Sequence, residues 1–454
     1  MKPPVAPGAR AVLGHVRPLL KDLPGLLASC AGAGPVQRLR LGPRDLYLLT
    51  EPEPVRQALA LEGDALCRVY EGGPGRLFGE ALLGTAGPAH RARRRMLQPA
   101  FRHELMACHA DVIGPVAARL AANWSPGRPV DMVHESVACA AEAMWCVLTG
   151  VRPARMPVSD PARRILDVDR GAAEETGLFS RAPAPVRRRH RCAAALLRRM
   201  LVHAIDTLPP PGGAPAGLLG VLAQVRDRTT RERLSRRQVL DQALEMLVAG
   251  AVATGMILAW ACHELGRHPY VEHRLQEETD EVLGGRPARH EDLARLPYAG
   301  RVVTEVLRLA APPLVGRRAL RELDLAGYRV PQGADVAFCP HALHRHPDLY
   351  PDPLRFDPDR WLPGRARTLP RGAFLPFGAG DHQCIGSSLG TAHATLALCT
   401  IAGAWRLRPV PEHRIRCVRS NVLRPDALPM TAEPRGPVGR LGAFGNVSPG
   451  GCSE

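Results

Sequence analysis

A single cysteine stands at the end of a glycine-rich loop in the stretch FLPFGAGDHQCIG, residues 374–386. A thiol at such a position can be a core residue, a nucleophile, half of a disulfide or a metal ligand. His382 is near enough in the chain to act as a base, but residues i and i+2 of an extended loop point to opposite sides. A zinc site would need further ligands at short spacing, and none accompany Cys384.

A thiolate ligand to haem accounts for more of this loop. A ligating cysteine has to be held as an anion, and a glycine-rich turn can direct several backbone N–H groups at the sulfur. The N-terminus of a helix after the loop adds the positive end of its dipole. Gly380 and Gly386 permit backbone to approach a flat macrocycle, and Phe377 can shield the sulfur from water.

The loop resembles the haem-thiolate signature of the cytochrome P-450 family. The matching residues are Phe377, Gly380, Cys384 and Gly386. The resemblance implies haem b as the cofactor, with Cys384 as the proximal iron ligand. Position 382 is often arginine in the family, and His382 can still donate to a haem propionate.

Two further segments match a structural feature of the family. Glu305 and Arg308 in TEVLRL are three residues apart on one helix face, a spacing that also suits a common surface ion pair. The resemblance implies a buried Glu-x-x-Arg pair joined by a downstream arginine, and FDPDRW supplies Arg360. Its implied role is to fix the irregular segment beneath the haem.

Basic residues in two places match the family's propionate contacts. AHRARRRMLQPAF, residues 89–101, places His90 and Arg94 on one helical face. Alone, this segment would be read as a solvated basic helix. PPLVGRRAL offers Arg317 as a further propionate partner, with Arg318 as the alternative at that place.

The apolar run Met246–Cys262 contains 17 residues without a charge. This length is at the lower limit for spanning a bilayer, and Glu245 and His263 close the run on either side. A helix buried in the centre of a large protein is the favoured interpretation. The resemblance implies that it is the long central helix, which crosses the distal haem face.

The central helix departs from the family pattern at its catalytic positions. Gly250 matches, but the acid position holds Val252 and the alcohol position holds Ala253. The family's acid–alcohol pair guides protons during oxygen activation. Thr254 comes one residue late, and on a helix its side chain is turned by about 100° from the alcohol position. We therefore expect the substrate, or an ordered water that it traps, to deliver the proton.

Composition and periodicity set the fold class. The chain has 454 residues and is 45% hydrophobic, enough for a large core. Helical periodicity dominates the first 310 residues, and short strands with glycine and proline turns follow. We predict a mainly α protein with a small β-rich subdomain, the cytochrome P-450 fold, with haem between the central helix and the cysteine loop. Residues 1–434 would form one domain, and 435–454 a loose tail.

Charge and cysteine usage indicate partners and compartment. The net charge is +16, and only Lys2 and Lys21 are lysines. The positive field favours acidic partners, and we expect an acidic ferredoxin with its ferredoxin reductase. No nucleic-acid-binding motif accompanies the arginines. Twelve scattered cysteines without a CxxC pair favour a reducing cytoplasm. Charges and prolines interrupt every apolar run near the N-terminus, so no leader or anchor is expected, and we expect a monomer.

The predicted activity is insertion of one oxygen atom from O2 into a small hydrophobic secondary metabolite, such as a terpenoid. Substrate contacts are expected from residues 70–83, 177–186, 249–254, 311–316 and 420–425, which are mostly small or apolar. Val252 and Ala253 leave a second reaction class open on the same haem: peroxide-driven oxidation, oxidative coupling or rearrangement. A haem-binding protein without turnover and a nucleic-acid binder are the non-enzymatic alternatives.

Overall fold

The computed structural model describes residues 1–11, 13–68, 77–101, 107, 109–151, 155–175, 184–208, 217–227 and 230–436, with the backbone alone at 175 and 184–187. Three predicted features fall wholly or partly outside this range. These are residues 70–76 of the first substrate loop, 177–183 of the second, and the tail from 437 onward.

The α-helices of the described residues are α1 Val16–Lys21, α2 Leu23–Ala28, α3 Pro52–Ala60, α4 Gly87–Leu97, α5 Ile113–Ala121, α6 Met132–Thr149, α7 Pro161–Glu175, α8 Ala184–Asp206, α9 Gly217–Gln224, α10 Arg236–Arg267, α11 Pro269–Leu283, α12 Pro297–Leu309, α13 Pro340–Leu343, α14 Pro363–Ala366 and α15 Ser387–Ala404. Short 3₁₀ helices lie at Leu82–Gly84, Gln98–Phe101, His290–Arg295, Pro358–Trp361 and Gly380–His382.

The strands are β1 Val36–Leu41, β2 Arg44–Leu49, β3 Leu66–Cys67, β4 Pro129–Asp131, β5 Val315–Ala319, β6 Leu323–Leu325, β7 Tyr328–Val330, β8 Asp335–Phe338, β9 Trp405–Pro409, β10 Cys417–Val418, β11 Arg424–Pro425 and β12 Pro429–Pro434. The predicted architecture, mainly helical with a small β part, is confirmed.

The central helix α10 organises the largest hydrophobic core. It begins at a capping box in which the Ser235 side chain accepts from the Gln238 N–H and the Gln238 side chain accepts in return. Its apolar residues pack with those of α5, α6 and α15 in one continuous cluster. At Gly255 a Cβ would lie 2.8 Å from Val137 Cγ2 of α6, so glycine is what allows the two helices this close approach.

α10 is also, among the described residues, the one helix long and apolar enough to cross a bilayer. Of its most apolar window, 78% is buried inside the protein. Burial of most of its surface is what a core helix requires.

The β part consists mainly of one five-stranded sheet in the order β1-β2-β8-β5-β3. The β2–β8 pair is parallel, and the other three pairs are antiparallel. Successive side chains of β5 alternate between the two faces of the sheet. Arg317 is therefore buried, whereas Arg318 is half-buried and pairs with Asp335 of β8.

The last strand, β12, joins β4 and β9 in a three-stranded sheet. β12 ends at Pro434, and Arg435 follows it with a bidentate ion pair to Asp280 of α11. The described chain is thus still attached to the domain at Arg435. The boundary placed before residue 435 stays a prediction.

Candidate active site

The cysteine loop is a tight turn that presents Cys384 immediately before α15. Gly378 and Gly380 have φ values of +67° and +71°, which glycine adopts without strain. The Cys384 N–H donates to the Phe377 carbonyl at 2.9 Å and closes the turn. Cys384 is exposed, and Gly386 is the N-cap of α15. Of the nine other described cysteines, six are buried as core residues.

The surroundings of the Cys384 sulfur have opposing effects on the pKa of its thiol. The side chain is accessible to solvent, but the protein atoms packed around it partly desolvate the sulfur and raise the pKa of this thiol, whereas the Gly386 N–H and the positive charges of Arg94 and Arg68 lower it. A metal ion displaces the thiol proton when it binds. The loop therefore offers one sulfur that becomes anionic when a metal binds, together with an N–H donor that would stabilise the anion.

Two histidines from distant parts of the chain meet beside the loop. His382 Nδ1 lies 3.1 Å from His90 Nε2, and their ring centroids are 4.0 Å apart. Burial and neighbouring arginines lower the pKa of His90 to about 4 and that of His382 to about 2. Both rings are consequently neutral near pH 7, and one N–H is shared between them.

Arginines surround this histidine pair. Arg94 donates to the Gln383 carbonyl at 2.6 Å and so fastens α4 to the cysteine loop. Arg317 forms a buried ion pair with Glu62. A Cβ at Gly380 would lie 2.7 Å from Glu62 Oε2, so the loop packs closely on this pair. Burial raises the pKa of Glu62, and Arg317 opposes that effect.

The cluster is rich in guanidiniums. Arg68, Arg91, Arg94 and Arg317 act on the two histidines and Glu62, and the carboxylates Glu62 and Asp381 lie among them. Haem carries two propionates, and guanidiniums are well suited to bind such carboxylates. The cluster brings together His90, Arg94, Arg317 and His382, all four of the predicted propionate contacts.

The predicted arginine–carboxylate cluster is also present. Arg308 donates to both oxygens of Glu305 at 2.8 and 2.7 Å, and both side chains are fully buried. Arg360 reaches Glu305 Oε1 at 3.5 Å. Glu305 further accepts from the Trp361 indole N–H at 2.9 Å and the Asp357 N–H at 3.1 Å. The cluster thereby holds the irregular segment in place, as expected.

His344 was not found from the sequence, although it joins this cluster to the cysteine loop. Its Nε2 accepts from the Leu375 N–H at 2.8 Å, so the proton is on Nδ1, which donates to the Arg308 carbonyl at 3.2 Å. Burial lowers the pKa of His344 to about 3. Tyr350 makes a second connection, because its hydroxyl donates to the Ala373 carbonyl at 3.0 Å.

On the distal side, the predicted positions of α10 face different neighbours. Between residues 241 and 259 the helix is buried except at Ala249, Gly250 and Ala253, which are half-exposed. A Cβ at Gly250 would lie 2.7 Å from Met144 Cε of α6. Thr254 is buried, and its Oγ1 lies 3.7 Å from where a Gly390 Cβ would be, so it faces α15.

The described part of the first substrate loop is fastened to α10 by side chains that the sequence analysis did not identify. Asp241 accepts from the Glu80 N–H at 3.2 Å. Gln242 accepts from the Leu82 N–H at 3.0 Å, and Glu245 accepts from the Leu83 N–H at 2.5 Å. In the sequence, Glu245 stands out only as the charge that closes an apolar run. Its spacing of eight residues from Ala253, about two helical turns, is the one sequence feature that relates it to the distal positions.

The other predicted substrate segments border the helical core. Leu314 and Val315 are half-buried at the start of β5. The turn at 420–425 is held to α10 by the Trp260 indole N–H, which donates to the Leu423 carbonyl at 2.8 Å. Arg424 of this turn pairs with Asp169 of α7.

Comparison with known proteins agrees with this geometry. The cytochrome P450 family profile matches residues 182–429. Cyclooctatin synthase and cyclooctat-9-en-7-ol 5-monooxygenase of Streptomyces melanosporofaciens are each 38% identical over 443 residues, 95% of either chain. Pentalenene oxygenase of Streptomyces avermitilis is 31% identical over 95% of this chain and 97% of its own.

Among solved structures, the cytochrome P450DA heme domain superposes with a TM-score of 0.85. It is 24% identical and covers 96% of this chain and 99% of its own, which shows the shared fold. The cysteine loop, the cationic cluster and these relatives together lead to one conclusion: the chain belongs to the cytochrome P450 family and is a haem-containing monooxygenase.

Proposed function

We propose that this monooxygenase inserts one oxygen atom from O2 into a hydrophobic terpenoid, with Cys384 as the iron ligand. The observation that carries the proposal is the accessible Cys384 beside a cluster of arginines and neutral histidines. The names of three relatives support the substrate class, since they refer to cyclooctatin, cyclooctat-9-en-7-ol and pentalenene.

His90, Arg94, Arg317 and His382 would hold the propionates, and Cys384 would hold the iron. Haem supplies the oxidising chemistry when it is bound, and the protein supplies binding, orientation and electrostatics. The half-exposed Ala249, Gly250 and Ala253 give the distal side of α10 a small, apolar surface. Such a surface admits a bulky hydrocarbon and offers it no hydrogen bonds.

The test of this proposal has a ligation arm and a substrate arm. The reduced protein with carbon monoxide should show the strongly red-shifted Soret band of thiolate-ligated haem, and Cys384→Ala should remove that band. A matched Cys399→Ala change in the core should keep it. A normal red-shifted band in Cys384→Ala would refute the ligand assignment. Cyclooctat-9-en-7-ol and pentalenene are the first probes for a substrate-induced spectral shift and for hydroxylated product.

We further propose that an acidic ferredoxin supplies the electrons and docks on the basic surface around the cysteine loop. Arg91 and Arg95 of α4 and Arg371 before the loop are exposed. Arg95→Glu should slow ferredoxin-driven reduction, most strongly at low salt, and leave the substrate-induced spectral shift unchanged. Arg329→Glu on β7 makes the same charge change elsewhere and should have no effect.

A second candidate function rests on Val252 and Ala253. Without an acid–alcohol pair, the same haem would serve peroxide-driven oxidation, oxidative coupling or rearrangement. Product formed with hydrogen peroxide at least as fast as with ferredoxin, reductase and O2 would favour it. Product that requires the electron donors would favour monooxygenation.

We propose a cytoplasmic monomer as the working form. The burial of α10 inside the protein supports the absence of a span at this helix. The full chain should stay in the supernatant in high salt without detergent, and should sediment as one copy. Recovery in the membrane pellet would contradict the proposed compartment.

A further inference from the structure

One carboxylate lies in line with the distal positions of α10. Asp241, Glu245, Ala249 and Ala253 follow one another at intervals of four residues, so Glu245 lies about 40° from Ala249 and about 80° from Ala253 around the helix. Ala249 and Ala253 are half-exposed where the rest of this stretch is buried. Glu245 precedes them by one and two turns, about 6 and about 12 Å along the axis.

The Glu245 carboxylate is held in a defined position. Its Oε2 accepts from the Leu83 N–H at 2.5 Å, and its Oε1 accepts from the Gln242 side-chain amide at 3.1 Å. It forms no ion pair with any of the described residues. Arg93 of α4 and Arg68 after β3 act on it only at longer range. Its charge also raises the pKa of the Cys384 thiol.

This environment suits a group that exchanges protons near neutral pH. Burial raises the pKa of Glu245 to about 7, and the Leu83 N–H, Gln242, Arg68 and Arg93 oppose the rise. A carboxyl group with a pKa close to the working pH both holds and releases a proton readily, which is the property of an effective general acid.

Polar groups lead from the protein surface to Glu245. Exposed Glu80 accepts from the Gln238 side chain at 2.7 Å, and its own N–H donates to Asp241. Arg198 of α8, also partly exposed, donates to Asp241 at 2.8 Å. Gln242 stands next in the helix and contacts Glu245. Polar side chains therefore line the first turns of α10 between the protein surface and Glu245.

We propose that Glu245 is the proton-delivery residue of the distal side, in place of the acid that Val252 lacks. The inference rests on the proposed function, because it requires haem between α10 and Cys384. Monooxygenation converts R–H, O2, two electrons and two protons into R–OH and water. Glu245 gives up its carboxyl proton, and an ordered water or a substrate hydroxyl carries it past Ala249 and Ala253. The carboxylate is then reprotonated from solvent through water molecules beside the polar first turns of α10.

The first test observes the carboxyl group itself in the oxidised haem-loaded protein without substrate. Infrared difference spectra between pH 5 and 9 should show a protonated carboxyl band that titrates near pH 7. Glu245→Gln should remove it, because the amide keeps an acceptor for the Leu83 N–H but cannot ionise. Glu264→Gln, on the far part of the same helix, should keep it. A titrating band that persists unchanged in Glu245→Gln would overturn the proposal.

The second test measures product formed per electron consumed, with whichever of cyclooctat-9-en-7-ol and pentalenene the wild type hydroxylates. Glu245→Gln should lower this ratio at least tenfold, release the difference as peroxide and abolish its pH dependence near 7. Glu245→Asp should restore part of it, and Glu264→Gln should match the wild type. If Glu245→Gln forms as much product per electron as the wild type and keeps the red-shifted carbon monoxide band, proton delivery by Glu245 is refuted and Cys384 ligation stands. If the wild type itself shows no such band, the proposed function is refuted instead.

Discussion

Both ring nitrogens of His344 are engaged, one by the Leu375 N–H ahead of the cysteine loop and the other by the Arg308 carbonyl. His344→Leu fills similar space but leaves both groups without a partner in a fully buried place. Leaving a buried donor unpaired costs about 1–3 kcal/mol. We expect the urea midpoint to fall accordingly, and part of the reduced carbon monoxide complex to lose its red-shifted Soret band.

The Soret band distinguishes positioning of the loop from general stability. His273→Leu is the matched control, because this side chain is 68% exposed on α11. It should alter neither the urea midpoint nor the band. If His344→Leu lowers the midpoint but keeps the band fully shifted, His344 stabilises the fold without positioning Cys384.

Glu305 has a larger predicted effect because four groups depend on its two oxygens. Glu305→Ala strands the buried Arg308 guanidinium and removes acceptors from Arg360, Trp361 and the Asp357 N–H. Breaking a buried pair by removing one partner costs about 3–5 kcal/mol. We expect little soluble haem-loaded protein, measured as yield and haem content. Glu53→Ala removes an exposed ion pair on α3 and should give normal yield. Well-folded, haem-replete Glu305→Ala would contradict a structural role.

Residues with a local sequence pattern were predicted, and those defined by long-range contacts were not. Cys384, Gly386, Glu305 and Arg308 belong to short motifs whose spacing is visible in the sequence. Glu62 is 255 residues from its partner Arg317, and nothing near it in the sequence indicates the pairing. Thr254 was expected to point away from the alcohol position, and the structure places it against α15.

At the scale of elements, the contact between α10 and α6 depends on one glycine. A Cβ at Gly255 would lie 2.8 Å from Val137 Cγ2 and 2.9 Å from its Cα, so backbone as well as side chain would have to shift. Overpacking of this kind costs about 1–3 kcal/mol. Gly255→Ala should lower the free energy of unfolding in urea by that amount.

Gly300 of α12 is the matched control for this prediction. It has nothing within 4 Å of its would-be Cβ, so Gly300→Ala adds helix propensity without a clash. It should raise the free energy of unfolding by about 0.5–1 kcal/mol. Equal effects of the two substitutions would show that propensity, and not the packing of α10 on α6, determines the outcome.

The extent of α10 shows what periodicity misses. The uncharged run predicted a helix over 246–262, but α10 extends from Arg236 to Arg267. Charged residues end an apolar run without ending a helix, since they can remain on an exposed or paired face. The sequence Ser235-Arg-Arg-Gln238 matches a capping box and marks the true start. The apolar criterion misses residues 236–245, the part of α10 that contains Asp241 and Glu245.

Across the whole molecule, several histidines are buried in the neutral form. Burial lowers the pKa of His263 and His393 to about 4 and of His344 to about 3. An unfolded histidine titrates near 6.5. Between the folded and unfolded values the unfolded chain binds protons that the folded chain does not, so stability is lost as the pH falls below about 6.5. Glu245, with its raised pKa, contributes in the opposite direction.

His393 isolates this effect, because its lowered pKa has burial as its one cause and its Nε2 has no hydrogen-bond partner among the described residues. At pH 5, 1.5 units below 6.5, protonation of the unfolded histidine favours unfolding by about 2 kcal/mol. His393→Leu removes that term and leaves an apolar side chain in the same core. The difference between the free energies of unfolding in urea at pH 7.5 and pH 5 should therefore shrink by about 2 kcal/mol. Exposed His273→Leu should leave the difference as it is in the wild type. An unchanged difference in His393→Leu would mean that His393 accepts a proton in the folded protein, and the acid lability would then have to come from His263 and His344.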